Sequence, residues 1–517
     1  MTRQDHGIGS QSDSASALPL WSKEVSSPTA PKRTVRPRAT SALRRLTPIQ
    51  WAIGALIVIS IGRAHDHISV LAAIRPALLL TAFCVLATLL RPQSIRLQNL
   101  TDGWPPKAIG ALFATSLISA VLGLSFGASA SFLLTVYLPI LTLFALTVIV
   151  VRDVNDLRWL FTTYILSVLT VSFASIFLAQ PIYFDGGVRQ GGAGMYDGND
   201  IGVVLMVGLP IAVILLRSRQ RFLATLGALA ILGTLVSLAL AASRGGFLGM
   251  LVGGAAILAL SPGLKAPSKI LVAAMAAASF LFLAPENYRS QMSTLLNPQA
   301  DYNVTSETGR LAIWTRGLGY VSEYPIFGIG PNNFIRAGWT ISPQGEAGLF
   351  GASLRDQAPH NSFLQVWAEM GSVGLLIWLS VLSLGVVYPL LLRRRMPRRW
   401  LNGGSSDQRF IYLSASYLPA SFLGFTVTSF FVSHAYTAIF YVMVGLLSGF
   451  LVIARGQWRA ERVAGWPAKV PTAALIQRQT WQSAHSNNGN LELPKAFVDP
   501  LWSQPTEPPT RRQENTS

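Results

Sequence analysis

Cysteine is almost missing from this chain. The one cysteine in 517 residues, Cys84, sits inside an apolar run, so no intrachain disulfide can form. Charge is scarce as well: 12% of residues are Asp, Glu, Lys or Arg, against about 25% in a soluble globular protein. The six histidines and the lone cysteine show no metal-ligand spacing, and no Gly-rich phosphate loop is present, so neither a metal nor a nucleotide cofactor is expected. A nucleotide-sugar donor used at a cytoplasmic face has no support in the residues. No cleavable signal is expected either, because the first apolar segment starts near residue 49, after a long polar tail.

Apolar length fills the space that charge leaves. The chain is 51% hydrophobic, its mean hydropathy is +0.43, and several runs reach the 18 or so residues needed to cross a bilayer. Apolar spans are predicted at about 47–62, 69–90, 106–126, 128–151, 157–179, 200–216, 222–242, 245–262, 267–284, 362–392, 409–431 and 434–454. The expected fold is therefore an all-α polytopic membrane protein of about 12 transmembrane helices, with one large loop between the ninth and tenth. Residues 1–46 and 455–517 are polar, rich in Pro and Ser or Gln, and without hydrophobic periodicity, so both read as disordered tails around a membrane domain over 47–454.

The net charge of +18 and pI near 10.5 follow from how membrane proteins are oriented, since Lys and Arg collect on cytoplasmic loops. Alternate loops are indeed basic: Arg91, Arg96 and Lys107; Arg152 and Arg158; Arg217, Arg219 and Arg221; Lys265 and Lys269; Arg393, Arg394, Arg395, Arg398 and Arg399; then Arg455 and Arg459. The N-terminal cluster Lys32, Arg33, Arg36, Arg38, Arg44 and Arg45 belongs to the same side. Both tails are then cytoplasmic, and the loop from Pro285 to His360 (285–361 with its join to the next helix) faces outward. The scattered arginines lack a recognition motif, so no nucleic acid partner is expected.

That loop ends in Ala358-Pro359-His360-Asn361-Ser362, where an extended stretch enters a helix. Ser362 is a predicted helix cap, with Gln365 closing a capping box, and His360 lies just outside a mouth of unpaired N–H groups that suits negative charge. From Asn361 a polar stripe runs through Gln365 and Glu369 into the membrane, where polar groups are costly; Glu369 reads as a proton relay or as a hydrogen-bonded packing residue. Earlier in the loop, Ser306-Glu307-Thr308-Gly309-Arg310 starts a helix whose Leu311, Trp314, Leu318 and Val321 form a stripe suited to the membrane surface. Tyr324-Pro325 ends that helix, and Gly328 to Asn333 form a turn.

Three basic residues fall on the outward side. Arg244, at the junction of two apolar spans, is either a snorkelling interfacial residue or a functional one, since topology gives no reason for an Arg on that side. Arg310 is either a headgroup-facing residue or a partner of Trp314, which shares its helix face. His360 is either a structural histidine or a titrating group near neutrality. Together they suit one task. Guanidinium forks bind pyrophosphate bidentately, and a neutral His accepts a proton from an attacking hydroxyl, which describes glycosyl transfer from a polyprenyl-pyrophosphate donor. In Tyr196-Asp197-Gly198-Asn199-Asp200 the acidic pair reads as helix capping by Asn199 or Asp200, with a metal site as the competing reading. Asp185 and Arg189 share its loop, and the Asn303-Val304-Thr305 sequon carries no information without a compartment.

In these residues the chain resembles the O-antigen ligase and O-antigen polymerase superfamily of bacterial inner-membrane proteins. The matching pieces are Tyr196 to Asp200 before a span, Ser243-Arg244-Gly245-Gly246 after one, Gly309-Arg310 with Trp314, Phe327 to Gly330 with Phe334, and Pro359 to Ser362 running to Glu369 and Gly371. The resemblance implies a GT-C-like membrane fold with a periplasmic active site that moves a glycan from undecaprenyl pyrophosphate to an acceptor hydroxyl on a glycan or lipid, without a metal. By that likeness Arg244 and Arg310 bind the pyrophosphate and His360 acts at the acceptor. The substrate-binding set is then Arg244, Arg310, Trp314, Asn361, Asp197 and Asp200. Ligases, polymerases and protein oligosaccharyltransferases all fall within this expectation; a flippase of the same lipid-linked glycans is the competing class, and matched interrupted helices in two halves would mark it.

Overall fold

The computed structural model describes residues 46–184, 187–190, 196–283, 309–341 and 357–464. Residues 1–45 and 465–517 of the expected tails, the sequon, Asp185 and the helix start at Ser306 to Thr308 lie outside the described residues; residues 455–464, expected in the second tail, instead continue the last helix, which runs Ala438–Ala464.

The chain is an all-α polytopic membrane protein. Eight helices among the described residues are long and apolar enough to cross a membrane: α3 (Trp104–Leu122), α4 (Phe126–Ile149), α5 (Val154–Leu178), α6 (Gly198–Leu216), α7 (Arg221–Ala241), α12 (Ser362–Arg395), α13 (Ser406–Phe431) and α14 (Ala438–Glu461). Four shorter apolar helices, α1 (Pro48–Gly62), α2 (Pro76–Leu90), α8 (Arg244–Leu260) and α9 (Ala266–Leu283), lie where the other four spans of the expected twelve fall. Two small helices, α10 (Arg310–Glu323) and α11 (Phe334–Thr340), belong to the long loop. A short antiparallel hairpin, Pro181–Phe184 with Gly187–Gln190, pairs Ile182 with Arg189 and was not foreseen.

Helices α6, α13 and α14 form the middle of the bundle, and α6 packs against α7, α8 and α13. Small residues set these distances, as van der Waals packing between membrane helices requires. A Cβ at Gly227 of α7 would lie 2.5 Å from the Ala212 carbonyl oxygen of α6, and one at Gly202 of α6 would lie 3.0 Å from Gly246 Cα of α8. At the periphery, Leu78, Leu79, Leu86, Leu89 and Leu90 of α2 are exposed, a surface suited to lipid.

The basic loops gather at one end. Arg158 pairs with Asp407 at 2.9 Å, while Arg217 donates to the Pro262 carbonyl, Arg219 to Asn402, Arg393 to Leu260 and Arg409 to Leu401, each at 2.7–3.0 Å. These guanidinium groups satisfy backbone carbonyls left open where helices stop.

At the other end, α12 is broken at Gly371, whose backbone (φ 64, ψ −170) is not helical. The amides of Ser372 and Val373 turn away from the helix to the carbonyls of Pro325 and Ile326, at 2.9 and 3.2 Å. The carbonyls of Ala368 and Glu369 in turn accept from Ile329 and Gly330, at 2.9 and 3.1 Å. Loop residues 325–330 thus replace the lost turn, and the Ser119 hydroxyl adds a bond to Glu369 O at 2.6 Å. The buried face of α10 is Ile313, Gly317, Tyr320 and Val321, packed on Phe334 and Leu364. Leu311 and Leu318 stay exposed, so the expected membrane-facing stripe of Leu311, Trp314, Leu318 and Val321 is split, because docking onto α12 selects a different face.

The break predicts a test. A Cβ at Gly371 would lie 2.2 Å from the Ile326 carbonyl oxygen, in a backbone region that costs an L-residue on the order of 1–3 kcal/mol. Gly371→Ala is therefore expected to melt clearly earlier in detergent. Gly319→Ala on α10, where a Cβ meets nothing within 4 Å, is expected to melt no earlier than the parent, since Ala is the better helix former. Equal melting of the two variants would show that the loop and helix adjust around Gly371.

Candidate active site

Five stretches meet at the end of the bundle opposite the Arg-rich one. The first is the start of α6. Asp197 is its N-cap: Oδ1 accepts from Asn199 N and Asp200 N at 2.7 and 2.9 Å, and Asp200 Oδ2 accepts from Asp197 N at 2.9 Å. The expected cap at Asn199 or Asp200 is thus corrected to Asp197, two or three residues earlier. Asp197 takes the extended backbone a cap needs, and Asp200 closes the box from inside the helix. Asn199 is left free to accept the Ser243 hydroxyl at 2.8 Å. Ser243 caps α8, accepting from Gly246 N at 3.0 Å, and so Arg244, half-buried, begins a helix fastened to α6.

The third stretch is the start of α10, with Arg310 half-buried in its first turn. Trp314, one turn on, donates its indole N–H to the Pro359 carbonyl at 2.9 Å and meets Phe430 edge-on at 5.3 Å. That bond ties α10 to the residue before His360. His360 itself has a left-handed backbone (φ 44) and precedes the cap of α12. The cap is Asn361, whose Oδ1 accepts from Phe363 N and Leu364 N at 2.9 and 3.1 Å. The expected box of Ser362 with Gln365 is therefore not formed. Ser362 faces the fifth stretch, residues 432–437 between α13 and α14, donating to the Val432 carbonyl at 2.7 Å and accepting from His434 N at 2.8 Å.

His434 is a residue the hydropathy reading passed over, having placed it as the first residue of a span. It is buried, with Nε2 3.0 Å from Asp200 Oδ1 and Nδ1 3.0 Å from the Thr437 hydroxyl. A histidine at the very start of an apolar span, next to a two-residue gap, was the available signal. Arg63, after α1, was also missed: paired with Asp66 at 2.6 Å, it lies 5.4 Å over the ring of the buried Tyr196, a cation–π contact.

Electrostatics sets the state of His360. Burial lowers its pKa below the ordinary value, the Arg310 charge lowers it further, and Asp197 and Asp200 pull in the other direction without reversing the result. The imidazole is therefore neutral at neutral pH, under the opposing influences of one cation and two carboxylates. Glu369 lies deeper, its carboxylate accepting from Phe334 N at 3.3 Å, where it holds the start of α11. Among the described residues no three His, Cys, Asp or Glu side chains are grouped as metal ligands.

Arg244, Arg310, Trp314, His360, Asn361, Asp197 and Asp200 are thus all at one end of the bundle, fastened through Ser243, Pro359 and His434. Arg189 lies on the hairpin, and its side chain lies outside the described residues. No curated protein matches the chain. Residues 228–379 are similar to the family described as O-antigen ligase, a segment that carries Arg244, Arg310 and His360.

Proposed function

We propose that this protein transfers a glycan from undecaprenyl pyrophosphate to an acceptor hydroxyl at the periplasmic face of a bacterial inner membrane, as an O-antigen or exopolysaccharide ligase or polymerase. The observation that carries the reading is a neutral, half-buried His360 under the influence of Arg310 and of the Asp197–Asp200 pair, at the end of the bundle away from the Arg-rich loops. Arg-rich loops stay in the cytoplasm, so this end faces out.

In the reaction, His360 accepts the proton of the acceptor O–H as that oxygen attacks the anomeric carbon of the donor. The bond from that carbon to the pyrophosphate oxygen breaks, and the electron pair leaves with undecaprenyl pyrophosphate. Arg244 and Arg310 bind the pyrophosphate and stabilise the charge that develops on it. Trp314 holds Pro359, and with it His360, while Asn361, Asp197 and Asp200 border the acceptor side. The charges of Asp197 and Asp200 favour the imidazolium formed, which lowers the cost of its charge.

Four measurements test this. Arg244→Lys and Arg310→Lys keep charge but not the guanidinium fork, so each is expected to lose donor affinity or turnover with unchanged melting; wild-type kinetics in either variant would reassign that Arg to snorkelling. His360→Gln is expected to cut turnover by about 100- to 10,000-fold with donor binding kept. Its wild-type counterpart should show an acid limb of kcat/KM below the ordinary His value of about 6.5, because the base must be unprotonated and its pKa is lowered. Alkaline phosphatase fusions within residues 290–350 are expected to be active and those after residue 400 inactive; the reverse would contradict the orientation.

A further inference from the structure

His434 is within hydrogen-bond reach of a site carboxylate and is yet closed to any substrate. Its side chain is 5% exposed, against 26% for Asp200. Both ring nitrogens are engaged, Nε2 with Asp200 at 3.0 Å and Nδ1 with Thr437 at 3.0 Å, and its own amide donates to Ser362 at 2.8 Å. It cannot offer a free nitrogen to an acceptor hydroxyl. Asp200 is the open member, and its two oxygens are fixed from behind, one by His434 and one by the Asp197 amide at 2.9 Å.

A carboxylate held from two directions keeps one orientation toward its neighbour, the logic by which an outer partner orients a reacting group. His434 also reaches the reacting end along a second route. Ser362 adjoins Asn361 and His360 in sequence and bonds the 432–434 link at two points. One residue therefore holds both a carboxylate that acts on His360 and, through its amide, the Ser362 side chain two positions after His360.

We infer that His434 is a positioning residue for glycan transfer, its imidazole fixing the orientation of the Asp200 carboxylate that acts on His360, while its amide ties the 432–434 link to Ser362 at the start of α12. The inference rests on His360 acting as the base. The groups that act on His360 are Arg310, Asp197 and Asp200, and His434 acts through the last of these.

The test uses full-length protein in nanodiscs with an undecaprenyl-pyrophosphate-linked oligosaccharide, reading release of undecaprenyl pyrophosphate in the presence of glycan and lipid acceptors. His434→Leu is expected to lower kcat about 10- to 100-fold, the range for an outer partner that orients a reacting group, with the KM for donor unchanged. His434→Gln, whose amide can donate where Nε2 stood, is expected to recover most of the turnover. Asp200→Asn is expected to lower kcat similarly and to move the acid limb of kcat/KM to lower pH, since a charge that raises the His360 pKa is gone. In a His360→Gln background, His434→Leu should cost nothing further. Full activity of His434→Leu, failure of His434→Gln to restore it, or multiplying losses with His360→Gln would each overturn the positioning role. Wild-type release from His360→Gln alone would overturn the underlying reading instead. Should His434→Leu melt early, the Asp200→Asn and His360→Gln pair carries the same comparison, and multiplying losses there also overturn the role.

Discussion

An exchange of backbone hydrogen bonds at Gly371 governs the shape of the reacting end. An unbroken α12 would bond Ser372 N to Ala368 O and Val373 N to Glu369 O. The structure gives up those two bonds and makes four with loop residues 325–330. In a membrane this exchange must be complete, because each unsatisfied peptide group costs several kcal/mol. Only glycine takes the required conformation at 371, and Gly328 is needed as well, since a Cβ there would lie 2.5 Å from the Ala368 carbonyl oxygen. The loop is thereby stitched into the bundle, and α10, which precedes it, docks onto the first turns of α12 through Gly317 and Leu364. That docking is what brings the start of α10, with Arg310 and Trp314, to the mouth of α12.

The charge arrangement follows from the same geometry. At one end of the bundle, guanidinium groups are used up on carbonyls at helix ends, a structural use that also fits an electrostatic orientation signal. At the other end, one cation, Arg310, and two carboxylates act on one imidazole from separate elements. The balance favours the neutral ring: burial and Arg310 outweigh the two aspartates. An imidazole that is neutral at neutral pH and gains carboxylate support once protonated suits the proposed reaction, in which a hydroxyl proton is taken up as the leaving group departs.

Much of this was legible in the sequence, and the parts that were not share a cause. Apolar run length gave the helices and Arg spacing gave the grouping of the loops, because both depend on composition within a window. The residues Arg244, Arg310, His360, Asp197 and Asp200 stood out because charge beside or within an apolar span is expensive. Cap identities were misjudged at two helices, since Ser362 is a good cap in isolation but is claimed by Val432 and His434. The face of α10 was misjudged for a related reason: Leu311 and Leu318 satisfy a periodic pattern, while Ile313, Gly317 and Tyr320 satisfy the surface actually presented by Phe334 and Leu364. His434 escaped notice because its partner Asp200 is 234 residues away, and no local pattern marks a contact between the start of one span and the link between two others.

The segment matching the O-antigen ligase family, 228–379, contains Arg244, Arg310 and His360 but neither Asp200 nor His434. The cations and the imidazole therefore arrive on one contiguous stretch, and the opposing carboxylates arrive from α6, outside it. Taken alone, the contiguous stretch would set His360 in a buried place beside Arg310, where both influences disfavour its protonated form. Such an imidazole would be a poor proton acceptor. The carboxylates from α6 restore part of its basicity, and they hold their place because Gly202 and Gly246 let α6 and α8 approach closely while Asn199 takes the Ser243 hydroxyl. Tight packing between two membrane helices thus becomes a chemical property of a histidine on a third element.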